Sequence, residues 1–183
     1  MKKILTILLA GATLFLNAQE RCGTTAITEK MMSENPEYAN ARSKANNQTE
    51  KWIENHPNHS EKTIITIPVV VHVVWKTNTQ NISDAQIQSQ IDVLNEDYRR
   101  TNVDQINTPS VWQSIAADSE IEFCLATTDA SGNTTTGINR VQTTHGQFGM
   151  DSDIHTASAG GADDWSNDDY LNIWVCNIQS GLL

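Results

Sequence analysis

The residues of this chain that could do chemistry are its cysteines, its histidines and a run of aspartates near the C-terminal end. The three cysteines, Cys22, Cys124 and Cys176, are an odd number, so at least one is free, bound to another group or paired outside the chain. Three cysteines in 183 residues are also too few for a small disulfide scaffold.

The histidines do not form a recognisable ligand set. His56 and His59 have ligand-like spacing, but Pro57 disfavours a regular helical turn there, and two histidines do not complete a metal site. His72 falls inside an apolar segment, where a hydrogen-bonded core histidine is the expected role. The last two histidines follow in a long polar region, where they could touch a substrate.

The aspartates raise the question of calcium. Calcium binds six or more oxygens in a closed loop, commonly with a glycine at a sharp turn. The segments Asp151-Ser-Asp153 and Gly161-Ala-Asp163 offer parts of such a loop without the complete pattern. Calcium therefore stays open without an assignable set of ligands, and a solvated acidic surface is the alternative. The aspartates concerned are Asp151, Asp153, Asp163, Asp164, Asp168 and Asp169.

The net charge excludes one class of partner. The formal charge is −10 at pH 7, which would repel the phosphate backbone of a nucleic acid. The sequence also contains no glycine-rich phosphate loop with its lysine and no Gly-x-Ser-x-Gly nucleophile motif. Nucleic-acid binding is not expected.

The first eighteen residues have the pattern of a secretory signal. Lys2 and Lys3 form a basic start, residues 4–16 are mostly apolar, and Ala18 suits the last position before cleavage. This apolar run is short for a membrane span, and no second one follows. We therefore predict a secreted product without a membrane anchor once residues 1–18 are removed.

The remainder divides near residue 60. Residues 19–60 are polar, nearly balanced in charge and favourable to a helix, so they are predicted to be a leader with one helix. Residues 61–183 carry most of the acidity together with the apolar segments, and they are predicted to be the folded domain.

The domain begins with a strand followed by a helix. Residues 64–75 are almost continuously apolar and β-branched, as in a strand covered on both faces. Ser83 and Gln86 form a capping box, and apolar residues then recur on one helical stripe to residue 98. Further strands are predicted at residues 120–127, 138–143, 150–156 and 170–178. These elements predict an α/β (α+β) domain.

Four sequence motifs in this order resemble the pappalysin (cytophagalysin) family of metzincin zinc metalloproteases. The resemblance covers roughly residues 60–183, and the last motif is the most specific. The motifs are Ile67-Pro-Val-Val-Val-His-Val-Val74, Leu94-Asn-Glu-Asp-Tyr98, Gly160-Gly-Ala-Asp-Asp-Trp165 and Tyr170-Leu-Asn-Ile-Trp-Val-Cys-Asn177.

The resemblance implies a metzincin-like, mixed and mostly parallel five-stranded sheet with one long backing helix. It also implies a zinc endopeptidase that acts on protein or peptide substrates through zinc-activated water. The family holds zinc with a His-Glu-x-x-His helix, and this chain has no His-Glu pair. The zinc ligands are therefore expected beyond Leu183, and this chain alone is expected to be an inactive N-terminal part of a precursor.

The resemblance assigns two roles within this chain. Arg21-Cys-Gly-Thr24 is similar to the family's cysteine switch, so Cys22 is the expected zinc ligand of the latent state; an uncommitted thiol is the alternative. The strand at residues 150–156 is expected to be the antiparallel edge that binds substrate backbone. Its candidate residues are Met150, Asp151, Ser152, Asp153, Ile154 and His155.

The family's strand order also bears on the other two cysteines. It separates the strands of Cys124 and Cys176 by three strand spacings, on the order of 14 Å. A disulfide needs Cα atoms within about 7 Å, so these cysteines are not expected to pair.

Two other interpretations remain open. The chain could be a non-enzymatic exported α/β binding module that holds a partner with its edge strand and acidic loop. It could also be a degenerate paralogue that has lost its catalytic half.

Overall fold

The computed structural model describes residues 23–57 and 63–181, and it begins with two helices where one was predicted. Helix α1 spans Thr24–Glu34 and helix α2 spans Pro36–Asn55. The side chain of Asn35 caps α2 by accepting a hydrogen bond from the backbone N–H of Tyr38 at 3.0 Å. Pro36 disfavours helical backbone in the residue before it and has the φ that starts a new helix, so the leader is divided here.

A four-stranded sheet organises the rest of the described residues, and its central strand pairs with all three others. Each pairing is parallel: β2 lies along the first half of β1, β4 along the middle and β3 along the last part. The predicted mostly parallel sheet is confirmed. The strands are β1 (Ile65–Trp75), β2 (Ile121–Leu125), β3 (Ile138–Gln142) and β4 (Leu171–Val175).

One long helix backs this sheet, as predicted. Helix α3 spans Asp84–Tyr98 and begins with the expected capping box, in which Ser83 and Gln86 satisfy each other's backbone N–H groups. Its buried residues Ile87 and Ile91 pack against alternate side chains of β1 and against Phe123 of β2. The side-chain stripe seen in the sequence is therefore the face that covers the sheet.

The opposite face of β1 is covered by loops. Val74 packs there with Phe148, Ile154 and Ala162 in a second apolar cluster, and Trp174 of β4 lies against it. This arrangement confirms that the continuous apolar run of β1 is a strand buried on both faces. The described residues also form short 3₁₀ helices at Val103–Asn107, Asp153–His155 and Ala157–Ala159.

Two details differ from the prediction. The described residues contain four strands rather than five, because residues 150–156 form turns. The last strand, β4, pairs directly with β1. Cys124 and Cys176 nevertheless remain free, as predicted. Their strands are both neighbours of β1, but Cys124 lies opposite Pro68 and Val175, next to Cys176, lies opposite Val73, so they are offset along it.

No helix in the two described ranges is long and apolar enough to cross a membrane.

A side chain of α3 closes the outer edge of β2. The Asn95 side-chain oxygen accepts a hydrogen bond from the backbone N–H of Phe123 at 2.7 Å, and its amide nitrogen donates to the Phe123 carbonyl at 3.0 Å. A neighbouring strand would satisfy the same two backbone groups. Asn95 thus takes the place of a strand and fixes the helix to the sheet.

Removing the Asn95 side chain should destabilise the domain. Asn95→Ala leaves both backbone groups of Phe123 without their partner, and we expect unfolding free energy to fall by about 1–3 kcal/mol. Gln88→Ala is the control on the same helix, because it removes only an exposed contact with Asp92 and should cost less than about 0.5 kcal/mol. Chemical denaturation of both variants measures the difference, and equal losses would contradict the role of Asn95.

Candidate substrate-binding surface

The segment predicted to bind substrate, Met150–His155, is a turn rather than an edge strand. The Asp151 carboxylate accepts a hydrogen bond from the backbone N–H of Asp153 at 3.2 Å. The His155 N–H then donates to the Ser152 carbonyl at 3.0 Å, which forms a 3₁₀ turn. Side-chain acceptors of this kind compete with extended backbone, so the predicted strand is wrong here.

The candidate residues therefore have different roles. Ile154 is buried in the cluster around Phe148, and its carbonyl accepts a hydrogen bond from the Ala162 N–H at 3.0 Å. Its side chain and carbonyl face the protein and so hold the segment in place. Substrate binding by this segment stays a prediction, and it now rests on the exposed members Met150, Asp151, Ser152 and His155 with the half-buried Asp153.

A strand-like pairing occurs two residues before this segment, and it is parallel rather than antiparallel as expected. The Phe148 N–H donates to the Asn177 carbonyl at 2.9 Å, and the Gln179 N–H donates to the Phe148 carbonyl at 2.9 Å. This is an isolated parallel bridge between Phe148 and Ile178. It fixes the start of the candidate segment against the residues that follow β4.

Two glycines let the following loop close onto this segment. Gly160 has φ +90°, a left-handed backbone that favours glycine. A Cβ on Gly161 would lie 2.1 Å from the carbonyl oxygen of Asp153 and 2.3 Å from that of Ile154. The loop therefore lies directly on the backbone of the candidate segment, and only glycine fits at residue 161.

Gly161→Ala should consequently disrupt the surface. The added methyl group meets backbone atoms, which cannot move aside as a flexible side chain could, and we expect a loss of about 1–3 kcal/mol in unfolding free energy. Gly146→Ala is the matched control, because a Cβ there has nothing within 4 Å. Thermal unfolding of the two variants is the measurement. A neutral Gly161→Ala would contradict the close approach.

His72 is the buried polar group at the centre of this part of the domain. It is fully buried in β1, with its Nε2 2.9 Å from Asn172 Oδ1 and its Nδ1 3.0 Å from Asn139 Nδ2. With these amide assignments, Nε2 carries the proton and Nδ1 accepts. Burial lowers the pKa of His72, which favours the neutral ring. The prediction of a hydrogen-bonded core histidine is confirmed.

The side chain of Asn172 connects His72 to the acidic loop, and sequence reasoning missed it. Its oxygen accepts a hydrogen bond from the Trp165 N–H at 2.8 Å, and its nitrogen donates to the Trp165 carbonyl at 2.9 Å. The same nitrogen donates to the Asn167 side chain at 2.9 Å. The signal in the sequence was an amide inside the apolar strand that begins at Leu171.

The two histidines of the loop region lie on aromatic rings. The His155 ring meets Trp174 edge to face with centroids 4.3 Å apart, and the His145 ring stacks on Phe148 at 5.2 Å. His155 is exposed on one side of the candidate segment, so it can still reach a bound molecule.

Two of the candidate calcium ligands accept hydrogen bonds within their own loop. Asp163 accepts from the Ala157 N–H at 2.7 Å, and Asp164 accepts from the Asn167 amide at 3.0 Å. Across residues 23–57 and 63–181, no group of three or more His, Cys, Asp or Glu side chains could hold a metal ion. The described residues therefore do not fit the implied zinc, and calcium remains a prediction without a ligand set.

The leader lies close to the beginning of the candidate segment. The side chain of Met150 lies 3.8 Å from the position that a Cβ on Gly23 would take, and Ile27 of α1 is equally near. Cys22 itself lies outside the described residues. The next residue in the chain, Gly23, nevertheless lies beside the surface predicted to bind substrate.

Several solved structures of one protein are similar to this chain. A promirolysin mutant from Tannerella forsythia is 44% identical, covers 84% of this chain and 49% of its own, and has a TM-score of 0.66. Mature T. forsythia mirolysin with a cleaved peptide is 52% identical over 63% of this chain and 43% of its own, with a TM-score of 0.60. Mirolysin with compound 9 is 53% identical over 64% of this chain and 44% of its own, with a TM-score of 0.62.

No protein-family model and no curated protein matches the chain.

The likeness supports a metzincin-type protease. The fold is shared and about half of the aligned residues are identical. The likeness does not single out the pappalysin subfamily. The chain spans less than half the length of each of these solved proteins.

Proposed function

We propose that this chain is the N-terminal part of a secreted zinc metalloendopeptidase precursor of the pappalysin type. The observation that carries the proposal is its likeness, at 44–53% identity, to both a precursor and a mature form of mirolysin. Residues 1–18 would direct export, residues 19–60 would be the pro-segment and residues 61–183 would begin the catalytic domain.

The division into pro-segment and catalytic domain is supported by the coverage of the two forms. The promirolysin structure matches 84% of this chain, whereas the mature structures match 63–64%. The added share corresponds in length to the leader helices α1 and α2. None of the described residues of these two helices is buried, as expected for a segment that is later removed.

The described domain would supply the substrate-binding part of the enzyme. The mature mirolysin structure contains a cleaved peptide, which supports a protein or peptide substrate for this chain. The exposed side chains at Met150–Ser152 and His155 would contact it. The leader would shield this surface in the precursor, because Gly23 already lies beside Met150.

An apolar groove on the sheet supports the proposal that the polypeptide is longer. It lies between α3 and strands β1 and β4, has a volume of about 410 Å³, and is lined mainly by Val71, Ile87, Ile91, Ile173 and Val175. Ile173 and Val175 are only half-buried there, and apolar side chains left partly exposed in a groove are normally covered by another element. The polypeptide following Leu183 would cover the groove and provide the zinc ligands, so the 183-residue chain alone is proposed to be inactive.

Comparison of two lengths of the protein tests the proposed activity. A longer product of the same gene should contain zinc and clear a gelatin gel, whereas the 183-residue chain should do neither, because its described residues offer no metal site. Metal analysis and zymography are the measurements. Peptide hydrolysis by the short chain, or a longer product without zinc, would refute the proposal.

Latency is tested through Cys22. If its thiolate occupies the open zinc position in the precursor, Cys22→Ala should shorten the lag before activity appears by roughly tenfold or more. Cys124→Ala is the control, since that exposed cysteine belongs to β2 of the domain. The lag of the longer precursor is followed with a peptide substrate. An unchanged lag in Cys22→Ala would contradict the cysteine-switch hypothesis.

A further inference from the structure

His72 interrupts a run of valines. Every neighbouring buried position of β1, from Val69 to Val74, is a valine, and each of these side chains is at most 3% exposed. A sixth valine would complete the core without the cost of burying an imidazole. The histidine must therefore provide something other than apolar packing.

We propose that His72 is a positioning residue that acts through Asn172 and Trp174 to hold residues 153–165 in one conformation. We call the side chains of His72, Asn172 and Trp174 the His72 relay. That His155, within residues 153–165, contacts substrate rests on the proposed function. That His72 orders them does not.

The first arm of the relay runs through Asn172. His72 Nε2 donates to Asn172 Oδ1 at 2.9 Å, which fixes the orientation of the amide. The amide oxygen also accepts a hydrogen bond from the Trp165 N–H at 2.8 Å, and the amide nitrogen donates to the Trp165 carbonyl at 2.9 Å, as a neighbouring strand would. This arm holds the C-terminal end of the loop.

The second arm runs through Trp174. The His72 ring stacks on Trp174 with centroids 4.9 Å apart, and His155 meets the same indole at 4.3 Å. The indole N–H donates to the Ala162 carbonyl at 2.9 Å, and the Ala162 N–H donates to the Ile154 carbonyl at 3.0 Å. This arm reaches the candidate substrate segment itself.

The loop needs both arms because it has little structure of its own. Between residues 153 and 165 the regular structure consists of two 3₁₀ turns of three residues each, Asp153–His155 and Ala157–Ala159. Its apolar anchors in the second core cluster are Ile154 and Ala162. With so few anchors, the conformation depends on hydrogen bonds that His72 orients.

Two variants of β1 separate positioning from packing. His72→Phe keeps an aromatic ring against Trp174 but removes the hydrogen bonds to Asn172 and Asn139. Val69→Ala removes core volume at another fully buried position of the same strand, on the face that α3 covers rather than the face of His72. His72→Gln is the conservative variant, because its amide offers both a donor and an acceptor.

Hydrogen exchange of the 183-residue chain provides the first test. In His72→Phe, the amides of Gly161, Ala162 and Trp165 should exchange roughly tenfold faster relative to the β4 amides, since one buried hydrogen bond is lost. Val69→Ala should leave that ratio unchanged, and His72→Gln should restore most of it. Equal acceleration in the phenylalanine and alanine variants, or none in either, overturns the proposal.

Kinetics of the activated longer enzyme provide the second test. His72→Phe should raise KM for a peptide roughly tenfold with kcat within about twofold, while Val69→Ala changes neither and His72→Gln recovers KM. A matching change in the alanine control overturns the positioning role. If the wild-type longer enzyme cleaves no peptide, the proposed function fails, and the exchange experiment still decides whether His72 orders the loop.

Discussion

The structure depends on the burial and pairing of one strand. β1 makes parallel pairings with all three other strands, and it is covered by α3 on one face and by loops on the other. Because every other strand pairs with β1, losing its packing would remove both apolar clusters together. The candidate surface is an extension of the second cluster, so its geometry is set by the same strand.

The parts of the fold that were predictable are those specified by neighbouring residues. The apolar run of β1 and the capping box at Ser83 act within a few positions of the chain, and both were recognised from spacing alone. The family resemblance implied an edge strand over Met150–His155, whereas the Asp151 side chain accepts a hydrogen bond from the Asp153 N–H and favours a turn. The local hydrogen bond decides the conformation of this segment.

The candidate site was less predictable because its contacts join distant residues. His72 and Asn172 are one hundred positions apart, and the sequence shows each only as a polar residue in an apolar strand. The proximity of Gly23 to Met150 likewise has no local signal. Family resemblance suggested which segments matter, whereas the coordinates show that Ile154 faces inward and His155 outward.

The hydrogen bonds between Asn95 and Phe123 have a consequence for folding. While α3 is docked, the backbone of Phe123 is occupied and cannot recruit a strand from another molecule. A newly synthesised chain whose helix has not yet docked exposes that edge to intermolecular pairing. The order in which α3 and β2 assemble therefore governs whether the emerging polypeptide folds as a monomer or enters aggregates.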